Sequence, residues 1–241
     1  MIVLFTDFGP AGPYTGQMRA VLAREAPGVD VIDLISNAPS FAPRASAYLL
    51  AALVPAFPDD AVFLCVVDPG VGGLRAPVVA EAGRQRFVGP GNGLFEIVMR
   101  RAEPARMWEI AWRPDRLSSS FHGRDLFAPV AARLAKGRDI ERAPAAPRRN
   151  LDWPDDLAEI IYIDRYGNAM TGLRASVMPH ASTVAAGGRR FERAETFSSV
   201  REGEAFWYEN ANGLAEIAVN RGSAADLLGL KIGDAVTVEE S

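Results

Sequence analysis

Three short segments of this chain carry side chains able to hold or move a proton. They are Asp68-Pro-Gly-Val-Gly-Gly-Leu-Arg75, Ser118-Ser-Ser-Phe-His122-Gly-Arg-Asp125 and the N-terminal Phe5-Thr-Asp7-Phe8-Gly9. Together they offer an acid, a guanidinium and an imidazole that one small pocket could gather. The chain has two histidines, and His122 falls in the most polar part of an otherwise apolar stretch. Chemistry concentrates on loops at strand ends, which puts Asp68 and His122 first among the candidates.

Each candidate also has a purely structural reading. Asp7 could cap the element that follows the first strand. The glycines after Asp68 could serve only a tight turn, and they lack the Lys-Ser/Thr of a phosphate-cradling loop. Gly89-Pro-Gly-Asn92-Gly93 reads first as a turn opening a helix, with Asn92 as its N-cap. Asp125 suits a helix start through the helix dipole, which accounts for it better than for His122. His180 follows Pro179 and is expected in a solvated loop. A zinc site lacks ligands, because the histidines fall in different halves of the chain and Cys65 is the single cysteine. An all-carboxylate magnesium site stays open. No Gly-x-Ser-x-Gly elbow marks a serine hydrolase.

The elements that must position these residues alternate in type. Ile2–Phe5, Val29–Leu34 and Ala61–Val67 are short β-branched or aromatic runs separated by helix-period segments at Tyr14–Glu25 and Ala42–Ala56. Further strands are expected at Pro77–Glu81, Arg86–Val88 and Met107–Ile110, and helices at Gly93–Arg101 and Gly123–Ala135. The pattern predicts an α/β N-terminal domain, a mostly parallel sheet with helices on both faces. Asp7, Asp68 and Asn92 then follow strands, at the edge where open α/β sheets bind ligands. Prolines and charges break regular structure over Arg142–Pro154, which sets the expected domains at 1–145 and 155–241 with a linker at 146–154. Beyond it, Ala158–Ile163, Ser182–Ala185, Ala205–Tyr208, Ala215–Val219 and Ala235–Val238 predict a small C-terminal β-barrel domain.

Composition excludes several classes. The net charge is −4 and lysine supplies two of 26 basic residues, with arginines scattered, so no nucleic-acid surface is expected. No apolar stretch reaches membrane-spanning length, and Met1–Phe5 runs into Asp7 without a basic leader, so no membrane partner and a cytoplasmic location are expected. Cys65 lies inside an apolar run and is expected as a small buried hydrophobe.

Five motifs in order, Thr6-Asp7-Phe8-Gly9, Val67-Asp68-Pro69-Gly70-Val71-Gly72 with Arg75, Gly89-Pro90-Gly91-Asn92-Gly93, Phe121-His122-Gly123-Arg124-Asp125 and Ile163-Asp164-Arg165-Tyr166-Gly167-Asn168, span nearly the whole chain. Together they resemble the S-adenosyl-L-methionine (SAM) hydroxide adenosyltransferases, relatives of the fluorinase and chlorinase. The resemblance implies an adenosine-forming SAM hydrolase without a cofactor, acting as a homotrimer with active sites between the N-domain of one subunit and the C-domain of the next. It places a water-activating triad on Asp68, Arg75 and His122. It places the ribose hydroxyls on Asp7, the methionine ammonium on Asp164 and the adenine edge on Asn168, with Phe8, Tyr166, Asn210 and Asn212 as further substrate contacts. Halogen-using relatives carry a tyrosine where this chain has Asp68, and the fluorinase carries a long extra loop for which 241 residues leave little room. Hydroxide is therefore the expected nucleophile. Where relatives commonly show Asn-Ser before a glycine, this chain reads Asn210-Ala211-Asn212-Gly213, so a methionine contact is lost or taken over by Asn212. Three competing readings are a non-catalytic SAM or adenosine binding module, a SAM-dependent halogenase, and a magnesium-dependent phosphohydrolase.

Overall fold

A computed structural model describes residues 1–146 and 152–239. The chain divides into two compact units; apart from the short stretch Ala51–Leu53, the first takes the residues up to 150 and the second those from 151. Residues 147–151 of the expected linker lie outside the described residues.

The first unit holds a seven-stranded sheet in the order β2-β1-β3-β5-β4-β6-β7. Its strands are β1 (Ile2–Thr6), β2 (Val31–Ile35), β3 (Val62–Val66), β4 (Pro77–Ala82), β5 (Gln85–Pro90), β6 (Ala105–Ile110) and β7 (Arg142–Pro144). Pairing is parallel from β2 through β5 and antiparallel from β5 through β7. The sheet is thus mixed, which corrects the expectation of a mostly parallel one. The reason lies in the connections: β4 and β5 are joined by the two residues Gly83 and Arg84, and so short a turn can only reverse the chain. Gly83 takes φ +62° there, a conformation glycine adopts without strain. Strand β7 also corrects the sequence reading, since Arg142–Pro144 pairs with β6 inside the segment expected to be irregular.

Helices cover both faces. Met18, Val21 and Leu22 of α1 (Tyr14–Glu25) and Val130, Ala131 and Leu134 of α4 (Ala128–Ala135) share a buried cluster with Ile2, Leu4, Val62 and Leu64. Because side chains alternate along a strand, Phe63 and Phe87 face the other way, where their rings stack 4.9 Å apart. Phe95, just ahead of α3 (Glu96–Arg100), packs on Phe87 at 5.7 Å. Helix α2 (Pro43–Leu53) begins with proline at its first turn, where a missing N–H costs nothing. The helix expected over Gly123–Ala135 is two pieces, a π-turn at Gly123–Phe127 followed by α4. Cys65 is fully buried in β3, as its apolar setting predicts. No described helix is long and apolar enough to cross a membrane.

The second unit is a β-rich domain of two antiparallel sheets. Four strands run in the order β12 (Ala205–Glu209), β13 (Leu214–Val219), β9 (Ala169–Arg174), β8 (Leu157–Ile163), and three in the order β11 (Arg189–Phe191), β10 (Thr183–Ala186), β14 (Thr237–Glu239). Both contribute to one core around Trp207, Phe191, Ile217, Ile160 and Val184. The indole N–H of Trp207 donates to the Ser182 carbonyl at 2.9 Å, so burial leaves no polar atom of that ring unpaired. The short helix α5 (Ala224–Leu228) is capped by Ser223, whose hydroxyl accepts the Asp226 N–H, and ends at Gly229 in the left-handed region.

Candidate active site

Asp68 lies two residues beyond β3, and Arg75 closes the loop that leads to β4. The loop folds back through Val71 N–H to Asp68 carbonyl (3.3 Å) and Gly73 N–H to Gly70 carbonyl (3.0 Å). Arg75 Nε donates to Asp68 Oδ1 at 3.0 Å and to Oδ2 at 2.9 Å, while Nη2 also donates to Oδ2. The pair is enclosed, with side chains 9% and 4% exposed for Arg75 and Asp68. The guanidinium lies 5.3 Å from the centre of the Phe127 ring, an apolar floor that favours a planar cation. Among the described residues Arg75 Nη1 makes no hydrogen bond.

Arg75 Nη2 also stands 3.0 Å from His122 Nδ1. A guanidinium is always protonated and has no acceptor, so Nδ1 receives this bond and the ring proton resides on Nε2. Burial, and then the Arg75 cation, hold the His122 pKa below its ordinary value. His122 is thereby kept neutral near pH 7. The segment carrying it is packed on the Asp68 loop: a Cβ on Gly72 would stand 2.6 Å from the Ser119 carbonyl oxygen. Asp125 steadies the same segment by accepting the Ser118 N–H at 2.9 Å and pairing with Arg124 at 2.6 Å, and it stands in the first turn of the helical segment, where the dipole favours an acid.

Asp7 follows β1 and does not cap α1, whose N-cap is Pro13. Its Oδ2 accepts the Phe41 N–H at 3.3 Å. Burial raises its pKa, the Phe41 hydrogen bond works in the opposite direction, and the charge of Asp68 adds to the rise. Phe8 forms a triangle with Tyr14 and Phe121 at centroid distances of 5.3 to 5.8 Å. Asn92 is no N-cap either, since α3 starts only at Glu96. The first unit therefore brings Asp68, Arg75 and His122 into contact and sets Asp7 within electrostatic reach of Asp68.

In the second unit, Asp164, Tyr166 and Asn168 line a cleft of about 600 Å³ with Phe197, Tyr208, Val219, Arg221 and Gly222. Asp164 organises the loop, its Oδ1 accepting the N–H groups of Tyr166 (2.8 Å) and Asn168 (2.9 Å) and its Oδ2 the Asn168 side-chain amide (3.0 Å). Gly167 between them takes φ +83° against Ser223, leaving no room for a Cβ. Among the described residues, Asn168 Oδ1 is buried without a hydrogen-bond partner. Asn210 belongs to a different arrangement. Its Oδ1 accepts the N–H groups of Asn212 (2.9 Å) and Leu214 (3.1 Å), and its Nδ2 donates to Glu216 at 2.6 Å. Asn210 lines a second cleft, with His180 and Arg193, and neither Asn210 nor Asn212 lines the cleft of Asp164.

Sequence reasoning missed Tyr208 and Glu216. They oppose each other across β12 and β13, and Tyr208 donates to Glu216 at 2.7 Å. Burial raises both pKa values, Tyr208 strongly. A carboxylate inside Leu214-Ala-Glu-Ile-Ala-Val219, a run that otherwise reads as core, was the available signal.

Residues 2–144 match the SAM hydroxide adenosyltransferase N-terminal domain, and residues 158–237 match its C-terminal domain. A Thermus thermophilus protein named (R)-S-adenosyl-L-methionine hydrolase is 42% identical, with 96% of each chain covered. One of the same name from Salinispora arenicola is 37% identical over 97% of this chain and 95% of its own. The crystal structure of an uncharacterized conserved protein from Thermotoga maritima superposes with a TM-score of 0.88 at 31% identity, covering both chains fully. With both domains matched in order around this geometry, the chain belongs to the SAM hydroxide adenosyltransferase family.

Proposed function

We propose that the protein hydrolyses SAM to adenosine and L-methionine by in-line attack of a water-derived oxygen on the 5′ carbon. The observation that carries this reading is the contact of one guanidinium with both a buried carboxylate and a neutral imidazole. The attacking species is hydroxide, the proton lost from water having passed to bulk solvent; the O–C5′ bond forms as the C5′–S bond breaks, its electron pair passing to sulfur. The sulfonium leaves as a neutral thioether, so no acid is needed and the work lies in producing and aiming the nucleophile. Arg75, through Nη1, favours a hydroxide-like oxygen, and Asp68 keeps that guanidinium in place. With its proton on Nε2, His122 donates to the oxygen and orients it; this geometry supports an orienting role over that of a base. Opposite charges cancel as the anion meets the sulfonium, which a dry pocket favours. The non-catalytic module, the halogenase and the phosphohydrolase are not favoured: Asp68 replaces the halogenase tyrosine, and the relatives are named hydrolases.

Asp7 is assigned to the ribose hydroxyls, Asn168 to the adenine edge and Asp164 to the methionine ammonium, with Phe8 and Tyr166 as further substrate contacts; Asn212, which lies outside the cleft of Asp164, is the family pattern's candidate for the methionine contact. For Asn210, whose amide is committed to Asn212, Leu214 and Glu216, the role is to shape the Asn212 turn. The names of the relatives favour the (R)-sulfonium epimer as substrate. No cofactor is required. The family pattern, with recognition residues split between two domains, supports a homotrimer with composite sites, and the bridges from Glu159 of β8 to Ala235, ahead of β14, and from Trp207 of β12 to Arg193, after β11, support a barrel-like second domain. A cytoplasmic location accords with a single, buried cysteine.

Incubation with each sulfonium epimer in ¹⁸O-labelled water tests the reading. Adenosine labelled at its 5′ oxygen, with loss of the (R) form, is expected. A 5′-halo-adenosine in chloride buffer, or no adenosine, refutes it; sedimentation as a fully active monomer refutes the trimer.

A further inference from the structure

The loop Gly89-Pro90-Gly91-Asn92-Gly93 touches the backbone on both sides of the Asp68–Arg75 segment. The parallel ladder between β3 and β5 runs from Val62 with Arg86 to Leu64 with Val88 and goes no further. Past that point the Asn92 side chain continues the tie, its Nδ2 donating to the Val67 carbonyl at 2.9 Å while its Oδ1 accepts the Leu94 N–H at 3.3 Å. Gly91 N–H donates to the Ala76 carbonyl at 2.8 Å. Val67 immediately precedes Asp68, and Ala76 immediately follows Arg75. Glycine is needed for this approach. A Cβ on Gly91 would stand 2.8 Å from the Ala76 oxygen, and one on Gly89 would strike the Cys65 carbonyl. The loop contributes no side chain to the Asp68–Arg75–His122 contact, yet it bonds the residue on either side of that segment.

We propose that Asn92 is a positioning residue for the reaction: with Gly91 it clamps the two ends of the Asp68–Arg75 loop and so sets where the Arg75 guanidinium meets His122. The proposal rests on the reading of Asp68, Arg75 and His122 as the reactive group. Asn92 acts through the Val67 carbonyl and touches neither substrate nor the reacting oxygen. Releasing the clamp moves Arg75 relative to His122, and displacements near 1 Å cost catalysis about 10²-fold.

Two variants decide it. Asn92→Asp keeps the acceptor for Leu94 but turns an oxygen toward Val67; Asn92→Ala removes both bonds. Each is assayed below its own melting temperature for kcat, for SAM affinity by calorimetry, and for the His122 titration midpoint by proton NMR. Expected are a kcat loss of about 10–10²-fold, affinity within about threefold of wild type, and a His122 midpoint moved up toward its ordinary value as Nδ1 loses its donor. In Asn92→Asp alone, kcat relative to wild type recovers as pH falls and the new carboxyl regains a proton to donate. Wild-type kcat with an unmoved His122 midpoint, even alongside a lower melting temperature, overturns the proposal. A wild-type protein that makes no adenosine refutes the hydrolase reading instead, and the His122 midpoint then decides the clamp by itself.

Discussion

Replacing Arg75 with lysine keeps the charge and removes the fork. The guanidinium meets Asp68 through Nε and Nη2 and reaches His122 Nδ1 from Nη2 at 3.0 Å. An ammonium places its donors on one atom and cannot span both partners. At least one bond to Asp68 and the bond to His122 are lost. Hydrogen bonds to charged groups contribute about 1.5–3 kcal/mol each, and the pair is too enclosed for solvent to screen much of that. Two such losses, about 3–6 kcal/mol, correspond to a fall in rate of about 10²–10⁴-fold if the geometry is used along the reaction path. His122 should also change: without a donor at Nδ1 its lone pair is open to protonation, and the acid limb of the rate profile should move up toward the ordinary imidazole pKa. Single-turnover adenosine formation from pH 5 to 8, with SAM affinity by calorimetry, measures both effects (about the range over which an unperturbed imidazole titrates). A rate within about threefold of wild type, under 1 kcal/mol of barrier, with an unmoved acid limb would refute this account of Arg75.

Other outcomes follow from the geometry. Asp7 must be ionised to grip the ribose with charge, and its pKa is raised; SAM affinity should therefore fall with decreasing pH starting above the ordinary aspartate range, a fall that calorimetry should find absent in Asp7→Asn. Glu216 is buried and its folded pKa is raised, so the folded state holds the proton more tightly, and stability should fall as pH rises from the ordinary glutamate pKa to the raised one. Denaturant unfolding of Glu216→Gln should lack that slope, while Glu216→Leu, leaving Tyr208 and Asn210 without their acceptor, should lose about 1–3 kcal/mol at every pH. Gly167→Ala forces a side chain into Ser223 at φ +83° and should cost more than about 1 kcal/mol by the same measurement.

Periodicity made most elements legible. Helix α1 begins and ends where its apolar spacing indicates, and four strands of the second unit lie within a residue of expectation, because alternation of burial leaves a direct mark. Strand β9 left none. Its Ala-Met-Thr-Gly-Leu-Arg174 sequence carries a glycine that usually argues against a strand, yet a Cβ on Gly172 would lie 2.6 Å from Leu157, so glycine is what lets β8 and β9 pair. The mixed sheet was hidden for a different reason: strand direction is set by the length of connections, and Gly83-Arg84 was not read as a hairpin. Asp68, Arg75 and His122 were legible as types in loops, but their contact is a long-range fact. Spacing alone could not join position 122 to position 75. Asn92 was visible as a turn residue, and its bond to Val67 exists only once the sheet has formed.

The π-turn at Gly123–Phe127 fixes how the chain tolerates changes in length. On an α-helix, residues five apart point about 140° away from each other. Here the Ala128 N–H reaches back to the Gly123 carbonyl, and the extra residue in the turn brings His122 and Phe127 round to the same guanidinium, His122 at its Nη2 and the Phe127 ring 5.3 Å from its central carbon. Removing one residue from this turn would restore ordinary helical pitch and swing one of the two away from Arg75, with no catalytic group deleted.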